Sequence, residues 1–274
     1  MALPRLSFLN LLACTDVTSC ATAQACSFCS SNAREPERPF IPWRTTTSTA
    51  AQAVVFDFGA AQALDLIFVN RTNASCALRI QGNATSAWGA PSYDSQNVAV
   101  TRNPFTGRVQ YLHCSTGFNL RYLRVLVPSQ DKILEHETDT AVEYFLVGGV
   151  WAGLSTTPPT HLKLPVEVHV DEPRSDIGPS HGGWEQRLDL GEPRAVLEAR
   201  RLVTVTARTP GLSDELRTAA CQDRLMRDRD VFLWDMNLTD PSQAWVVRRR
   251  SGSLWKLDGA RSEGPIELSE VIGP

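Results

Sequence analysis

Short apolar runs, each followed by small or polar residues, recur along the first half of the chain. Three of them lie close together: Ala53–Phe58, Leu64–Val69 and Cys76–Ile80. Each has the length and the β-branched or aromatic content of a strand, and Gly59 and residues 70–75 between them favour turns. The pattern therefore predicts a ladder of short strands.

Further apolar runs continue this pattern, and helical periodicity is absent from the whole stretch. The next predicted strands are Val109–Cys114, Arg121–Val127 and Val142–Val147. In the second of these, Leu123, Val125 and Val127 share one face, so that face is wholly apolar and has to be buried. Many short strands with turns between them predict an antiparallel β-sandwich.

A Pro- and Thr-rich stretch at residues 155–165 follows the sandwich, and its Pro-Pro pair cannot continue a central strand. Beyond it, Val166–Val170 and several later runs alternate as strands do. Ser213 is a favourable N-cap for a helix from Asp214 to Arg227, with acidic residues in the first turn and arginines at the end. The sequence thus predicts four parts: an N-terminal arm or first strand (1–30), a β-sandwich (31–154), a linker (155–165) and a β-rich domain with one helix (166–274).

The size of the chain, 274 residues, predicts two domains, and its 42% of hydrophobic residues is enough for packed cores. Charged residues make up 21%, and the formal net charge is −3. This balance gives no general attraction for nucleic acid or for an anionic membrane, so neither partner is predicted. No stretch approaches the roughly 20 apolar residues that cross a bilayer, so no membrane span is predicted.

Four of the seven cysteines cluster near the N-terminus. They are Cys14, Cys20, Cys26 and Cys29. The spacing of Cys26 and Cys29 lets both thiolates bind a zinc ion or an iron–sulfur cluster. A second such pair is missing, which favours small buried thiols in a reducing cytosol and no metal. The run Leu11–Cys14 is also similar to a lipoprotein signal, but Asn10 interrupts its apolar core, which favours an arm that packs on the body.

Several short motifs resemble the discoidin-like, or galactose-binding-like, jelly roll. They are Trp43-Arg44, Asp57-Phe58-Gly59, Asn70 and Arg121-Tyr122-Leu123-Arg124-Val125. The resemblance implies a jelly roll over residues 30–153. It also agrees with the residues themselves, because Gly59 can adopt a turn conformation that other residues avoid, and Trp43 is large enough to seal one end of a sandwich.

The final strand of this segment, Tyr144–Gly153, is similar to the variant of the module found in phage minor tail proteins. The second half resembles those proteins in the Gly-Gly-Trp turn at 182–184, the basic pair Arg200-Arg201 and the segment Glu267–Val271. This resemblance implies a structural component of a phage-like tail tip or baseplate. Such a component would join neighbouring tail proteins in a symmetric ring as a homo-oligomer, located in the virion tail and assembled in the bacterial cytoplasm.

Motifs for catalysis or cofactor binding are missing from the sequence, so we predict a protein that is not an enzyme and has no cofactor. The five histidines are widely scattered. His181 precedes Gly182-Gly183, a pair that forms a tight turn more often than a catalytic loop. The acidic segment 135–139 is interpreted as a solvated loop, because adjacent side chains in extended backbone point apart.

Three residues in long loops, Trp88, Tyr93 and Arg102, are the candidates for a binding site. Ligands of the family that the sequence resembles meet the loops at one end of the sandwich, where these side chains would stack on and clamp a sugar ring. The same residue types are enriched at subunit interfaces. Three hypotheses follow: a structural tail component, a receptor- or carbohydrate-binding module for a host surface glycan, and a tail hub stabilised by a metal or an iron–sulfur cluster.

Overall fold

The computed structural model describes residues 5–19, 29–36, 42–130, 144–156, 162–171, 174–179, 185–190, 194–204, 232–235, 241–249, 256–258 and 261–270. In these residues the regular structure is almost entirely strand, and every named strand pairing is antiparallel. The predicted mostly-β class is therefore confirmed. The helix predicted at 214–227 lies outside the described residues.

The strands are numbered in chain order. They are β1 (Arg5–Ser7), β2 (Asp16–Ser19), β3 (Trp43–Arg44), β4 (Gln52–Thr72), β5 (Ala77–Asn83), β6 (Tyr93–Ala99), β7 (Thr101–Arg102), β8 (Val109–Val127), β9 (Leu146–Gly153), β10 (Leu162–Asp171), β11 (Arg174–Pro179), β12 (Glu185–Leu190), β13 (Arg194–Thr204), β14 (Phe232–Asp235), β15 (Ala244–Arg249), β16 (Lys256–Asp258) and β17 (Arg261–Glu270). Two short 3-10 helices span Leu11–Cys14 and Ser30–Arg34.

The two longest strands, β4 and β8, each join two runs that the sequence pattern separates. β4 continues through Gly59 and β8 through Gly117, and these glycines have positive φ angles of 74° and 93°. The register between the two strands slips between Asp57 and Gln62, so residues 58–61 bulge out of the ladder. Because a bulge bends a strand without ending its pairing, the turn expected at Gly59 is a bend within one strand.

These bends divide the eight-stranded sheet into two layers. The first layer contains β2, the first half of β4, the second half of β8, β5 and β6, in that order. The second layer contains β3, β9, the second half of β4, the first half of β8 and β7. Two antiparallel layers joined by bent strands form a β-sandwich, as predicted for this part of the chain.

The core of the sandwich lies between its two layers. Leu123, Val125 and Val127 of β8 are fully buried there, which confirms the apolar face that the sequence predicts. Ile67 of the second layer and Trp43 belong to the same buried cluster. Each large apolar side chain removed from water in this way contributes about 1.5–3 kcal/mol to folding.

A second sheet has the strand order β1-β14-β15-β17-β13-β10, with β16 beside β17. Its edge strand β1 comes from the N-terminal arm, where Arg5 lies opposite Asp235 and Leu6 also pairs with Thr156. The same arm continues into β2, which pairs with β4 of the sandwich. The N-terminal arm therefore supplies strands to both sheets.

The second sheet packs on the outward face of the second sandwich layer. The residues of the shared buried cluster are Leu66, Phe68, Leu112, Trp151, Leu233, Ala244 and Val246. A buried ion pair between Arg108 and Glu270 spans the same boundary. The domain boundary at 155–165 stays a prediction. Across the described ranges, no helix is long and apolar enough to cross a membrane.

Candidate binding site at one end of the sandwich

One end of the sandwich, here called the loop end, is formed by the loop 84–92 between β5 and β6 and by residues 117–121 of β8. Asn83, the last residue of β5, lies opposite Tyr122 of β8. The loop is held by Asn83, whose Nδ2 donates to Ala87 O (2.6 Å) and whose Oδ1 accepts from Ser92 Oγ (2.9 Å). These bonds fix the conformation of the loop that carries Trp88.

Trp88 is half-buried at this end, and its indole ring lies against Arg124. The Arg124 Cζ atom is 5.4 Å from the ring centroid, within the range of a cation–π contact. Arg124 lies on the outward face of β8 because Leu123 and Val125 on either side of it face the core. The ring and the guanidinium therefore belong to the outer surface of the first layer.

Arg124 belongs to a cluster of hydrogen-bonded polar side chains on three neighbouring strands, here called the Asp94 network. Its members are Arg79, Gln81, Asp94 and Arg124. Arg124 Nη1 donates to Gln81 Oε1 (3.2 Å), and Gln81 Nε2 donates to Asp94 Oδ2 (3.2 Å). Arg79 binds both carboxylate oxygens of Asp94, with Nε 2.7 Å from Oδ1. β5 places Arg79 and Gln81 on one face because strand side chains alternate.

The electrostatics of this network favour the ionised carboxylate. Hydrogen bonds from Arg79, and then from the backbone of Gln96 and the side chain of Gln81, lower the pKa of Asp94 from 3.8 to about 2, against the opposing effect of its desolvation. The same Arg79–Asp94 contact raises the pKa of the Arg79 guanidinium. Both groups therefore stay charged at all but strongly acidic or strongly basic pH.

Tyr93 starts β6 and points away from Trp88's surface, toward the interior of the loop end. Its ring stacks on Phe118 with the centroids 4.4 Å apart, and its hydroxyl is hydrogen-bonded to His113 Nε2. Burial lowers the pKa of His113. Gly82 lies opposite Tyr93, where a side chain would come within 2.7 Å of Leu120. Tyr93 therefore has a packing role.

Arg102 lies at the far end of the sandwich, in β7. It pairs with Val109, the first residue of β8, whereas Phe118 and Tyr122 mark the loop end further along that strand. Arg102 is exposed, and its Nη1 donates to Gly107 O (2.6 Å). The expectation that Trp88, Tyr93 and Arg102 all lie in loops is wrong. Tyr93 and Arg102 are strand residues, and each has its own partners.

The cysteine cluster is described only in part. Cys29 is half-buried, and its Sγ is 2.8 Å from Ser31 Oγ. Cys14 ends the first 3-10 helix, whereas Cys20 and Cys26 lie outside the described residues, as do His181 and the segment 135–139. No group of three possible metal ligands occurs in the part of the chain that is described.

The grouping of four polar side chains was not predicted from the sequence: Arg79, Gln81, Asp94 and Arg124. The available signal was the alternation within each strand, which places Arg124 opposite the apolar face of β8 and puts Arg79 and Gln81 on one face of β5. The sequence does not specify that β6 pairs with β5, and this pairing brings Asp94 beside Gln81.

Comparison with known proteins gives no matching family model and no similar curated protein. Among the solved structures that resemble the chain are chitosan-binding module 1 of a Paenibacillus sp. IK-5 chitosanase/glucanase (16% identity, 53% of this chain and 98% of that chain, TM-score 0.37) and module 2 of the same enzyme in complex with chitotriose (14%, 53% and 100%, TM-score 0.39). A Streptococcus pneumoniae fucose-binding module is another (8%, 53% and 98%, TM-score 0.40). These three neighbours are carbohydrate-binding modules.

Proposed function

We propose that this chain binds carbohydrate, and that its sugar site is the Trp88 surface at the loop end. The observation that carries the proposal is a half-buried indole ring with an arginine against it and an amide and a carboxylate in the same network. Sugar rings have apolar C–H faces that pack on aromatic rings, and their hydroxyls both donate and accept hydrogen bonds. Trp88 supplies the apolar surface, the partly exposed guanidinium groups of Arg79 and Arg124 supply donors, and the Asp94 carboxylate supplies acceptors.

The loop and the side chains of the site are held in place before any ligand binds. Asn83 holds the loop at two points, and the network fixes Arg124, so little side-chain freedom is left to lose on binding. At this end Arg79 forms an ion pair with Asp94, and Arg121 forms one with Asp57. That the chain is not an enzyme stays a prediction.

The test is binding of the full chain to an immobilised glycan panel that includes chitotriose and fucose, followed by calorimetric titration of each hit. Trp88→Ala should weaken binding about tenfold or more, which corresponds to about 1.4 kcal/mol or more of lost contact energy. Arg102→Ala is the matched control, because it removes an exposed arginine at the far end and should leave the affinity unchanged. A wild-type chain that binds no glycan of the panel, or equal affinities for wild type and Trp88→Ala, would refute the proposal.

The structural role in a phage-like tail, in a ring with other tail proteins, stays a prediction from the sequence. The same Trp88→Ala variant distinguishes the two roles if the chain is part of a particle. If Trp88 binds host glycans, particles that carry Trp88→Ala should assemble normally and adsorb poorly to host cells. A subunit contact at Trp88 would instead reduce assembly, because truncating a buried interface aromatic costs about 2 kcal/mol or more.

A further inference from the structure

We infer that Asp94 is a positioning residue of the loop end: acting through Gln81, it holds Arg124 against the ring of Trp88. The link from Asp94 to the ring is a property of the protein alone. Its effect on sugar affinity rests on the proposed function, so the position of the ring and the sugar affinity are measured separately.

The first step concerns the direction of the Gln81 amide. This side chain is only 4% exposed, so its oxygen and its nitrogen both require partners inside the protein. An ionised carboxylate only accepts hydrogen bonds, so Asp94 selects the orientation in which Nε2 faces it. The amide oxygen then has to face the other way, toward Arg124.

The second step concerns the fixed position of Asp94 itself. Arg79 binds both of its oxygens, and the backbone N–H of Gln96 donates to Oδ1 over 2.9 Å. Gln96 has a positive φ of 57°, an uncommon conformation for a residue other than glycine, and it lies where the register between β5 and β6 shifts. Donors on two strands therefore prevent the carboxylate from rotating away from Gln81.

The third step carries this orientation to the ring. Because Gln81 presents its oxygen, it accepts from Arg124 Nη1, and the guanidinium then lies 5.4 Å from the Trp88 centroid. A reversed amide would present an NH₂ group to the guanidinium, two donors facing each other. Hydrogen-bond donors and acceptors thus match at each contact from Arg79 through Asp94 and Gln81 to Arg124. Each contact is oriented by the one before it.

The test exchanges the carboxylate of residue 94 and the amide of residue 81. Asp94→Asn removes the acceptor-only group, and Gln81→Glu places a second carboxylate beside Asp94, so each single change should disturb Arg124. In the double variant Asp94→Asn/Gln81→Glu, the new amide donates to the new carboxylate, which still accepts from Arg124. The amide nitrogen takes the place of Oδ2 and loses the bond from Arg79 Nη2, whereas the bond from Arg79 Nε to Oδ1 is kept. The acceptor that faces Arg124 is thereby restored, so the double variant should resemble wild type at Trp88 more than either single variant does.

The position of the ring is read without any sugar. The chain is labelled with 5-fluorotryptophan, and the Trp88 resonance among the seven tryptophans is assigned from Trp88→Phe. We expect this ¹⁹F resonance to shift or broaden in both single variants and to return toward the wild-type position in the double variant. Asp57→Asn is the matched control: Asp57 also binds an arginine, Arg121, through two bonds of 2.7 and 2.8 Å, yet is not connected to Gln81.

The outcomes separate this inference from the proposed function. An unchanged Trp88 resonance in both single variants, or an equal shift in Asp57→Asn, overturns the positioning role whatever the chain binds. A shifted resonance that returns in the double variant supports it, even if the glycan panel yields no ligand and the proposed function fails. If a glycan is bound, its affinity should fall at least threefold in the single variants and recover in the double variant, and single variants with wild-type affinity would overturn the consequence for binding.

Discussion

The ion pair between Arg108 and Glu270 allows the sharpest test of how the two sheets are held together. Arg108 immediately precedes β8 of the sandwich, and Glu270 ends β17 of the second sheet. Their side chains are 8% and 1% exposed, so neither charge has much access to solvent. Beside them, Gln110 Nε2 donates to the carbonyl oxygens of Pro241 (3.2 Å) and Ser242 (2.9 Å).

Glu270→Ala removes the carboxylate and leaves the guanidinium at the boundary between the sheets. Removing one partner of a buried pair costs about 3–5 kcal/mol, because the remaining charge stays desolvated without its counter-charge. Against a total folding free energy of about 5–15 kcal/mol this is a large loss. With a urea dependence of about 2 kcal/mol per molar, the unfolding midpoint should fall by roughly 2 M.

The assay is urea unfolding of the full chain, followed by tryptophan fluorescence and by circular dichroism. The double variant Arg108→Met/Glu270→Leu is the control, since replacing both charges with apolar groups of similar size is often neutral or stabilising. It should lie near wild type while Glu270→Ala is far less stable. A Glu270→Ala variant within about 1 kcal/mol of wild type would show that the pair is solvated and would refute the reasoning.

Other regions give further predictions. Gly149→Ala should destabilise the chain by more than 1 kcal/mol in urea unfolding, because Gly149 has a positive φ of 30° and a Cβ there would overlap the backbone of Pro36; a neutral effect would contradict that packing. Protonation of Asp94, whose pKa is lowered from 3.8 to about 2, should remove stability as the pH falls through this interval, so Asp94→Asn should flatten the acid side of the stability profile; parallel profiles would contradict it. Cleavage within 155–165 should leave both fragments co-eluting in size-exclusion chromatography, because β1 pairs with β14 and Phe68 packs on Leu233; fragments that separate under native conditions would argue for independent domains.

The strand content and the inward faces could be predicted from the sequence. Leu123, Val125 and Val127 alternate with Tyr122 and Arg124, and this period of two is a local property that survives any choice of partner strand. The buried state of the apolar set followed from it. The position of Trp88 in a loop was also predicted from the sequence, because the segment around it is rich in Asn, Ser, Gly and Pro.

The pairing of distant segments was decided only by the tertiary structure. β1 and β14 are far apart in sequence, and the apolar pattern of either strand fits many partners, so local periodicity cannot select the pair. The same holds for the Asp94 network, in which Arg79, Asp94 and Arg124 come from three strands. Alternation determines which way each of these side chains points, but the register between strands determines which charge meets which, and register depends on the packing of the whole sheet.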